Sequence, residues 1–154
     1  YPARKAQELG YDQVLWLDAF EHKYVEEVGT MNIFFVIDGV LITPELQGTI
    51  LPGVTRDSVI KLAKHWDLSV EERRVSIDEV MEAGKNGTLE EVFGAGTAAV
   101  IAPVEAIHHD GETVQVHEEG RGPIGQKLYE TIYGIQRGQR EDPFDWTHSI
   151  KVNS

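Results

Sequence analysis

The chain has 154 residues, about the length of one domain, and carries 14 lysines and arginines against 26 aspartates and glutamates. The net charge of −12 argues against nucleic acid and against an anionic membrane as partners, because both are bound by clustered basic side chains. The absence of cysteine excludes disulfides, thiolate nucleophiles and cysteine-bound zinc. Because neither a secretory signal nor a membrane span is recognisable in the sequence, the expected location is the cytoplasm.

The N-terminal residues predict a short helix followed by a strand. Pro2 suits the first position of a helix and Gly10 suits the position just past its end. The apolar run at residues 14–17 lies between two aspartates, and such a run is typical of a strand that is covered on both faces.

Two Asp-Gly pairs, at residues 38–39 and 110–111, predict tight hairpin turns, because this pair tolerates the positive φ angles that such turns need. The strands predicted on either side are residues 33–37 and 40–42 for the first turn, and residues 100–109 and 113–116 for the second. A further strand is expected at residues 89–93.

Three more helices are predicted from apolar residues spaced three and four positions apart. Thr55 is the expected N-cap of the first, Ser76 and Glu79 have the spacing of a capping box at the second, and Pro123 opens the third. Their apolar faces are Val59, Leu62, Ala63 and Trp66; Ile77, Val80, Met81 and Gly84; and Ile124, Leu128, Ile132 and Ile135.

The C-terminal tail, residues 141–154, is expected to be irregular and to dock through Phe144 and Trp146. With no repeat or linker in the sequence, residues 1–154 are predicted to form a single domain. Its fold class is expected to be mixed α/β (α+β), with hairpin-rich sheets and covering helices. The hairpins argue against a purely parallel, doubly wound sheet.

Three segments could bind a ligand, although each also has an ordinary structural explanation. Residues 51–57 lead through a Pro-Gly turn into a helix whose first amides could bind an anion, or they form only a capped helix start. Residues 94–98, which are Gly-Ala-Gly-Thr-Ala, could form an anion-binding nest or a plain glycine turn between strands. Glu26 and Glu27, before a Gly-Thr step, could face a cavity or lie on a solvated strand edge.

A metal site is not expected. His108, His109, Asp110 and His117 flank a predicted turn, but strand neighbours point to opposite faces, and the spacing does not match a closed ligand set. Histidines exposed at a turn explain this group.

Four segments taken in order closely resemble the branched-chain amino acid aminotransferases, which are fold-type IV enzymes that use pyridoxal 5′-phosphate. They are Val-Leu-Trp-Leu at 14–17, Glu-Val-Gly-Thr-Met-Asn at 27–32, Ile-Leu-Pro-Gly-Val-Thr-Arg at 50–56 and Val-Phe-Gly-Ala-Gly-Thr-Ala at 92–98. The resemblance extends over essentially the whole chain. It implies the pseudo-barrel large domain of such an enzyme, its C-terminal cofactor-binding part, with the N-terminal small domain missing.

The resemblance also implies a site. Glu27 matches the carboxylate that pairs with the pyridine nitrogen of the cofactor, where it keeps the ring protonated and therefore a better electron sink. The other residues that the family motifs match are Thr30 as a polar contact, Val54 and Thr55 as phosphate-binding amides, Ala95 and Thr97 in the second phosphate loop, and Thr97 and Ala98 as the backbone that receives the substrate carboxylate.

Two departures from the family are visible. Some members carry a Cys-x-x-Cys redox pair where this chain has Ala99 and Ala102, so no thiol switch is expected. The lysine that forms the Schiff base with the cofactor is also missing, because only Lys5 and Lys23 precede Glu27 and neither has the right context. The chain is therefore expected to be a fragment with no catalytic residue of its own, inactive in isolation.

The function implied is transamination of leucine, isoleucine and valine with 2-oxoglutarate, by a homodimer that uses pyridoxal 5′-phosphate and binds neither nucleic acid nor membrane. Two alternatives are open at this point. The chain could be a non-catalytic truncated domain that acts in folding or association. It could also belong to an enzyme with another fold-type IV activity, such as a D-amino acid aminotransferase or an aminodeoxychorismate lyase, since these would share Glu27 and the phosphate loops.

Overall fold

A sheet of seven strands forms the centre of the structure, a computed structural model that describes residues 2–117 and 120–150. The strands of this sheet are β1 (Leu15–Leu17), β2 (Val25–Val28), β3 (Met31–Ile37), β4 (Val40–Thr43), β5 (Val70–Glu72), β6 (Leu89–Gly96) and β7 (Val100–Pro103). A separate two-stranded sheet contains β8 (Ala106–His109) and β9 (Glu112–Gln115). The helices are α1 (Pro2–Glu8), α2 (Val54–His65), α3 (Ile77–Asn86) and α4 (Pro123–Gln136).

Strand β3 organises the large sheet. It pairs antiparallel with β2 at its start, with β4 at its end and with β6 along most of its length. Strand β6 continues the sheet to β7, and β5 joins β4 as the parallel pair of the described sheet. The prediction of a mixed, hairpin-rich fold is therefore confirmed.

The sheet separates two apolar cores because successive side chains of β3 point to opposite faces. Ile33 and Phe35 pack on one face with α3 and the β8–β9 hairpin, in what we call core 1. Phe34 and Val36 pack on the other face with α2 and α4, in core 2. The rings of Phe34 and Phe93 stack in core 2 with their centroids 5.3 Å apart.

Both predicted Asp-Gly turns are present, with positive φ at the aspartate and at the glycine of each pair. The strand predicted at residues 100–109 is wrong in one respect, since the chain leaves the large sheet after Pro103 and begins a new strand at Ala106. The first part pairs with β6 and the second with β9. The Val104 N–H still donates to the Val92 carbonyl at 2.9 Å, so the pairing with β6 ends just past Pro103.

The predicted helices are present, but one cap was misassigned. The Ser76 side chain accepts the N–H of Glu79 at 3.1 Å, and Pro123 is the first residue of α4, both as predicted. The N-cap of α2 is Gly53, not Thr55, which lies in the first turn. Gly53 takes the extended conformation of an N-cap residue but offers no side chain, so this helix start has no side-chain cap.

Two predictions about aromatic residues have different outcomes. The run at 14–17 does form a strand, but it is not covered on both faces, since Trp16 is 38% exposed. The tail is irregular from residue 141 to residue 150, and Phe144 and Trp146 pack against core 2 as predicted, whereas residues 151–154 lie outside the described part.

In the described ranges, no helix combines the length and apolarity needed to cross a bilayer.

The start of α4 is held by a carboxylate from the sheet. Glu91 of β6 is 5% exposed and accepts the N–H groups of Ile124 and Gly125, each at 2.8 Å. A Cβ atom on the N-cap residue Gly122 would clash with the Glu91 carboxyl carbon, so this position requires glycine. An anionic side chain thus satisfies the free amides at the positive end of this helix dipole.

Asp18 gives the fold a predicted dependence on acid. Its carboxylate is buried and accepts the backbone N–H groups of Tyr24, Glu21 and Lys23, which hold its pKa well below the usual range. Because this pKa is lower in the folded than in the unfolded state, the ionised carboxylate stabilises the fold fully above the unfolded-state pKa of about 3.9. The stabilisation is lost as the pH falls towards the lower pKa of the folded state. Asp18→Asn should therefore lower the urea midpoint at pH 6, and the difference from the parent chain should shrink below about pH 3. The exposed Asp12, changed to Asn, is the control; an Asp18→Asn midpoint equal to the parent at pH 6 would contradict this.

Candidate functional site

A row of five paired residues crosses the large sheet next to the start of α2. Trp16 pairs with Glu27, Glu27 with Asn32, Asn32 with Ala95, and Ala95 with Ile101. Directly opposed residues of antiparallel strands place their side chains on the same face. Because Ala95 and Ile101 belong to core 2, the row lies on the face that α2 covers.

A β-bulge explains how two successive glutamates fit in β2. Trp16 pairs with Glu27 and Leu17 with Val25, so the register shifts at Glu26. Val25 and Val28 are both buried in core 1, which strict alternation over three positions would not allow. The bulge therefore directs both glutamates away from core 1.

Both glutamates contact the loop that leads into α2. The Thr49 hydroxyl donates to Glu26 Oε1 at 2.8 Å, and the Leu51 N–H donates to Glu27 Oε1 at 3.1 Å. Glu27 is partly buried and lies within the sheet. The partly buried carboxylate of Glu27 is thereby held against Leu51, which lies two residues before the N-cap of α2.

The start of α2 leaves backbone donors free of helical partners. The first helical hydrogen bond runs from the Asp57 N–H to the Gly53 carbonyl at 3.1 Å. The N–H groups of Val54, Thr55 and Arg56 therefore have no acceptor within the helix. Val54 is 82% exposed, so this first turn is open to an anion.

Buried side chains fix this helix start from two sides. Asn32 donates from Nδ2 to the Leu51 carbonyl at 2.9 Å, and its Oδ1 occupies the space that a Cβ on Gly53 would take. Arg56 is 4% exposed and donates to the Pro44 carbonyl at 3.0 Å. Neither side chain was expected to have a role, although Asn32 ends one of the family-like motifs and Arg56 ends another.

The small-residue segment is mostly strand rather than loop. Gly94, Ala95 and Gly96 belong to β6, so the prediction of a loop over residues 94–98 is wrong for them, and Ala95 is buried in core 2. Cβ atoms on Gly94 and Gly96 would approach the Met31 side chain to 2.9 and 3.0 Å, so the glycines allow close packing across the sheet.

Thr97 and Ala98 do lie in the exposed turn between β6 and β7. The turn ends at Val100, which has φ +60° although it is β-branched and 6% exposed. This conformation is strained for valine, and strained residues of this kind cluster at functional sites. No sequence signal indicated it, since valine is among the residues least suited to that conformation.

Thr30 occupies the neighbouring turn, between β2 and β3. It is exposed and follows Gly29, whose φ is +58°. A Cβ on Gly29 would clash with the Gln13 side chain, and the Gly29 carbonyl accepts the Trp16 indole N–H at 2.9 Å. The antiparallel register of β3 and β6 brings this turn to the same end of the sheet as residues 97–99.

A groove of about 1230 Å³ is lined by some of the predicted site residues and not by the others. Thr30, Thr97 and Ala98 line it together with apolar side chains of core 1 and residues of α1. Glu27 and the start of α2 do not line it. The structure therefore places one group on the groove and the other at the row of paired residues, both at one end of the sheet.

The turn histidines are engaged in local contacts. His108 Nδ1 lies 2.8 Å from the Thr113 hydroxyl, and His109 Nε2 lies 3.3 Å from the Asp110 carboxylate. Across residues 2–117 and 120–150, no group of three or more histidines and carboxylates has an arrangement that could hold a metal ion.

Comparisons with known proteins agree on one family. Residues 1–107 match the family model of the class IV amino-transferases. A branched-chain-amino-acid transaminase of Bacillus subtilis is 59% identical over 147 residues, which are 96% of this chain and 41% of that protein. The chain thus spans about two fifths of the length of this relative.

Solved structures agree with the fold. A branched-chain amino acid aminotransferase of Escherichia coli superposes with a TM-score of 0.77 at 36% identity, over 93% of this chain and 43% of that one. A branched-chain aminotransferase of the archaeon Thermoproteus uzoniensis, solved with norvaline, superposes with a TM-score of 0.73 at 37% identity, over 90% of this chain and 42% of that one. Another branched-chain amino acid aminotransferase, solved with pyridoxamine 5′-phosphate, superposes with a TM-score of 0.74 at 35% identity, over 89% of this chain and 41% of that one.

Proposed function

Because the chain belongs to the class IV amino-transferase family, we propose that it is the cofactor-binding part of a branched-chain amino acid aminotransferase. The parent enzyme would exchange the amino group of leucine, isoleucine or valine with 2-oxoglutarate, using pyridoxal 5′-phosphate. The names and the identity of the relatives support this substrate class. The N-terminal domain, the Schiff-base lysine and a second subunit of a homodimer would come from outside the 154 residues.

The residues at the start of α2 fit the two ends of this cofactor. Its phosphate is an anion, and the free amides of Val54 and Thr55, at an uncapped helix start, are donors suited to an anion. Its pyridine nitrogen is basic, and the carboxylate of Glu27 lies beside that helix start. The observation that carries the proposal is the hydrogen bond from the Leu51 N–H to Glu27, because it joins a carboxylate and an anion-binding helix start in one loop.

Each side chain would have a defined task. Glu27 would hold a proton on the pyridine nitrogen, and Thr30 would add a polar contact. Val54 and Thr55 would bind the phosphate with Thr97 and the Ala95 end of β6. When bound, pyridoxal 5′-phosphate supplies an electron sink for the bonds at the amino acid Cα.

The substrate would lie towards the groove. The backbone at Thr97 and Ala98 would receive its carboxylate, and the apolar side chains that line the groove, such as Val28 and Met31, would contact an aliphatic side chain. An aliphatic substrate gains affinity mainly by removing apolar surface from water. The rest of this pocket would come from the missing domain and the second subunit.

Thermal protection of the purified chain tests the phosphate site. A ligand of the folded state alone raises stability by mass action, so pyridoxamine 5′-phosphate or phosphate at a hundred times its Kd should raise Tm by roughly 5–10 °C. Pyridoxamine without the phosphate should protect less. Affinity should be lower than in the parent enzyme, because the resemblance implies a further basic side chain from outside the 154 residues.

A matched pair of variants assigns this binding to the helix start. Val54 is the first residue of α2, where proline is tolerated, so Val54→Pro deletes one amide donor without breaking the helix. Val54→Ala shortens the same exposed side chain and keeps the donor. Affinity for phosphate should fall roughly tenfold or more in the proline variant, since a hydrogen bond to a charged group is lost. A chain whose Tm ignores both phosphate ligands, or equal binding by the two variants, would count against this site.

A further inference from the structure

Asn32 lies at the centre of the row of paired residues. It stands between Glu27 on β2 and Ala95 on β6, and it is 5% exposed. A buried amide side chain is retained where its hydrogen bonds are satisfied, because an unsatisfied one is costly. The hydrogen-bond partner of Asn32 is the loop before α2, which explains why a polar side chain is buried between the sheet and this helix.

One residue of that loop connects Asn32 to Glu27. Leu51 donates its N–H to the Glu27 carboxylate at 3.1 Å and accepts the Asn32 side-chain amide at its carbonyl at 2.9 Å. The same carbonyl accepts the N–H of Gly53 at 2.9 Å. The Asn32 Oδ1 also fills the space that a Cβ on Gly53 would need. Two neighbouring side chains of the sheet thus fix both sides of the Leu51 backbone and the N-cap of α2.

We propose that Asn32 is a positioning residue that sets the separation between the Glu27 carboxylate and the free amides of Val54 and Thr55. The inference rests on the proposed cofactor site. A ligand that engages both ends at once needs this separation to be correct, because the pyridine ring that joins its nitrogen to its phosphate arm is rigid. A ligand that engages only the helix start does not depend on this separation.

The two ligands therefore separate positioning from simple stability. If Asn32 is removed, the loop can move relative to the sheet, and ordering it again on binding costs conformational entropy. Pyridoxamine 5′-phosphate spans both ends, so this entropy cost should lower its affinity. Inorganic phosphate occupies the phosphate end of the site and does not reach Glu27, so its affinity should fall little.

The experiment uses two variants of the full 154-residue chain, Asn32→Leu and Asn32→Ser. The first keeps the volume and removes the donor, and the second is smaller and avoids any contact with Gly53. We expect affinity for pyridoxamine 5′-phosphate to fall roughly five- to tenfold, the effect of one net hydrogen bond, and affinity for inorganic phosphate to change less than about twofold. Both are measured by titration calorimetry.

Glu91→Gln is the matched control. Glu91 is equally buried, lies on the strand next to Asn32 and holds the start of α4 as Asn32 holds the start of α2. It should lower stability and leave both affinities unchanged. Combining Asn32→Ser with Glu27→Gln should be less than additive for pyridoxamine 5′-phosphate, because Asn32 acts through the end that Glu27 engages.

The outcomes distinguish the two proposals. If the parent chain binds neither ligand, the proposed cofactor site is wrong and this inference falls with it. If the parent binds both but the Asn32 variants bind pyridoxamine 5′-phosphate as the parent does, only the positioning role is overturned. An equal loss for both ligands, the same loss in Glu91→Gln, or failure of both Asn32 variants to fold while Glu91→Gln folds would also overturn it.

Discussion

Glu27→Gln, in a full-length enzyme that contains this chain, is expected to lower kcat roughly ten- to a hundredfold, the effect of losing one hydrogen bond to a charged group in the transition state. Affinity for the cofactor should change much less. Glutamine has nearly the same shape and keeps an oxygen that can accept the Leu51 N–H, so the loop should stay in place. The negative charge is lost, and with it the group proposed to hold the proton on the pyridine nitrogen.

The loss should fall on kcat because the protonated ring matters most when negative charge develops at the substrate Cα, and an interaction made mainly in the transition state acts on the chemical step. Glu26→Gln is the control. Glu26 lies beside Glu27 on the same bulge, but its carboxylate accepts the Thr49 hydroxyl instead. Steady-state kinetics with leucine and 2-oxoglutarate measure both. Unchanged kcat in Glu27→Gln, or equal losses in the two variants, would refute the assignment.

The parts of the fold that the sequence predicted are those set by neighbouring residues. An Asp-Gly turn depends on which residues tolerate positive φ, and both turns are present. The capping bond between Ser76 and Glu79 spans three residues, and it too is present. Apolar spacing located α2, α3 and α4 because a helix buries one stripe of its surface.

The parts that were missed depend on strand pairing. The two glutamates of β2 contradict simple alternation, and only the register with β1 shows that a bulge accommodates them. Asn32 looked like the end of a motif, since the sequence does not show that Leu51 lies beside it. Its importance follows from a contact between residues 19 positions apart, which no local pattern contains.

Two errors have a physical cause in common, since small residues serve several purposes. Glycine at 94 and 96 suggested a ligand loop, but there it admits the Met31 side chain. Thr55 has a hydroxyl that could cap a helix, yet Gly53, which has no side chain, takes the cap position, where Asn32 leaves no space for a Cβ. Tertiary contacts decided both positions against the local preference.

The purified 154-residue chain is expected to show no transamination of leucine with 2-oxoglutarate. The family's chemistry needs a lysine that bonds covalently to the cofactor, and a lysine becomes a good nucleophile when the protein desolvates it or places a cation beside it. Lys5 lies on α1, which has no buried residue, and Lys23 is exposed in the loop between β1 and β2. Neither belongs to the row that contains Glu27. Loss of a covalent group removes the reaction path rather than slowing one step, so activity should be undetectable even when pyridoxamine 5′-phosphate protects the fold.

A coupled assay for glutamate, with a full-length relative as the positive control, measures this transamination activity. Sustained turnover by the chain would show that one of its own lysines acts, and mass spectrometry after borohydride reduction with pyridoxal 5′-phosphate would identify it.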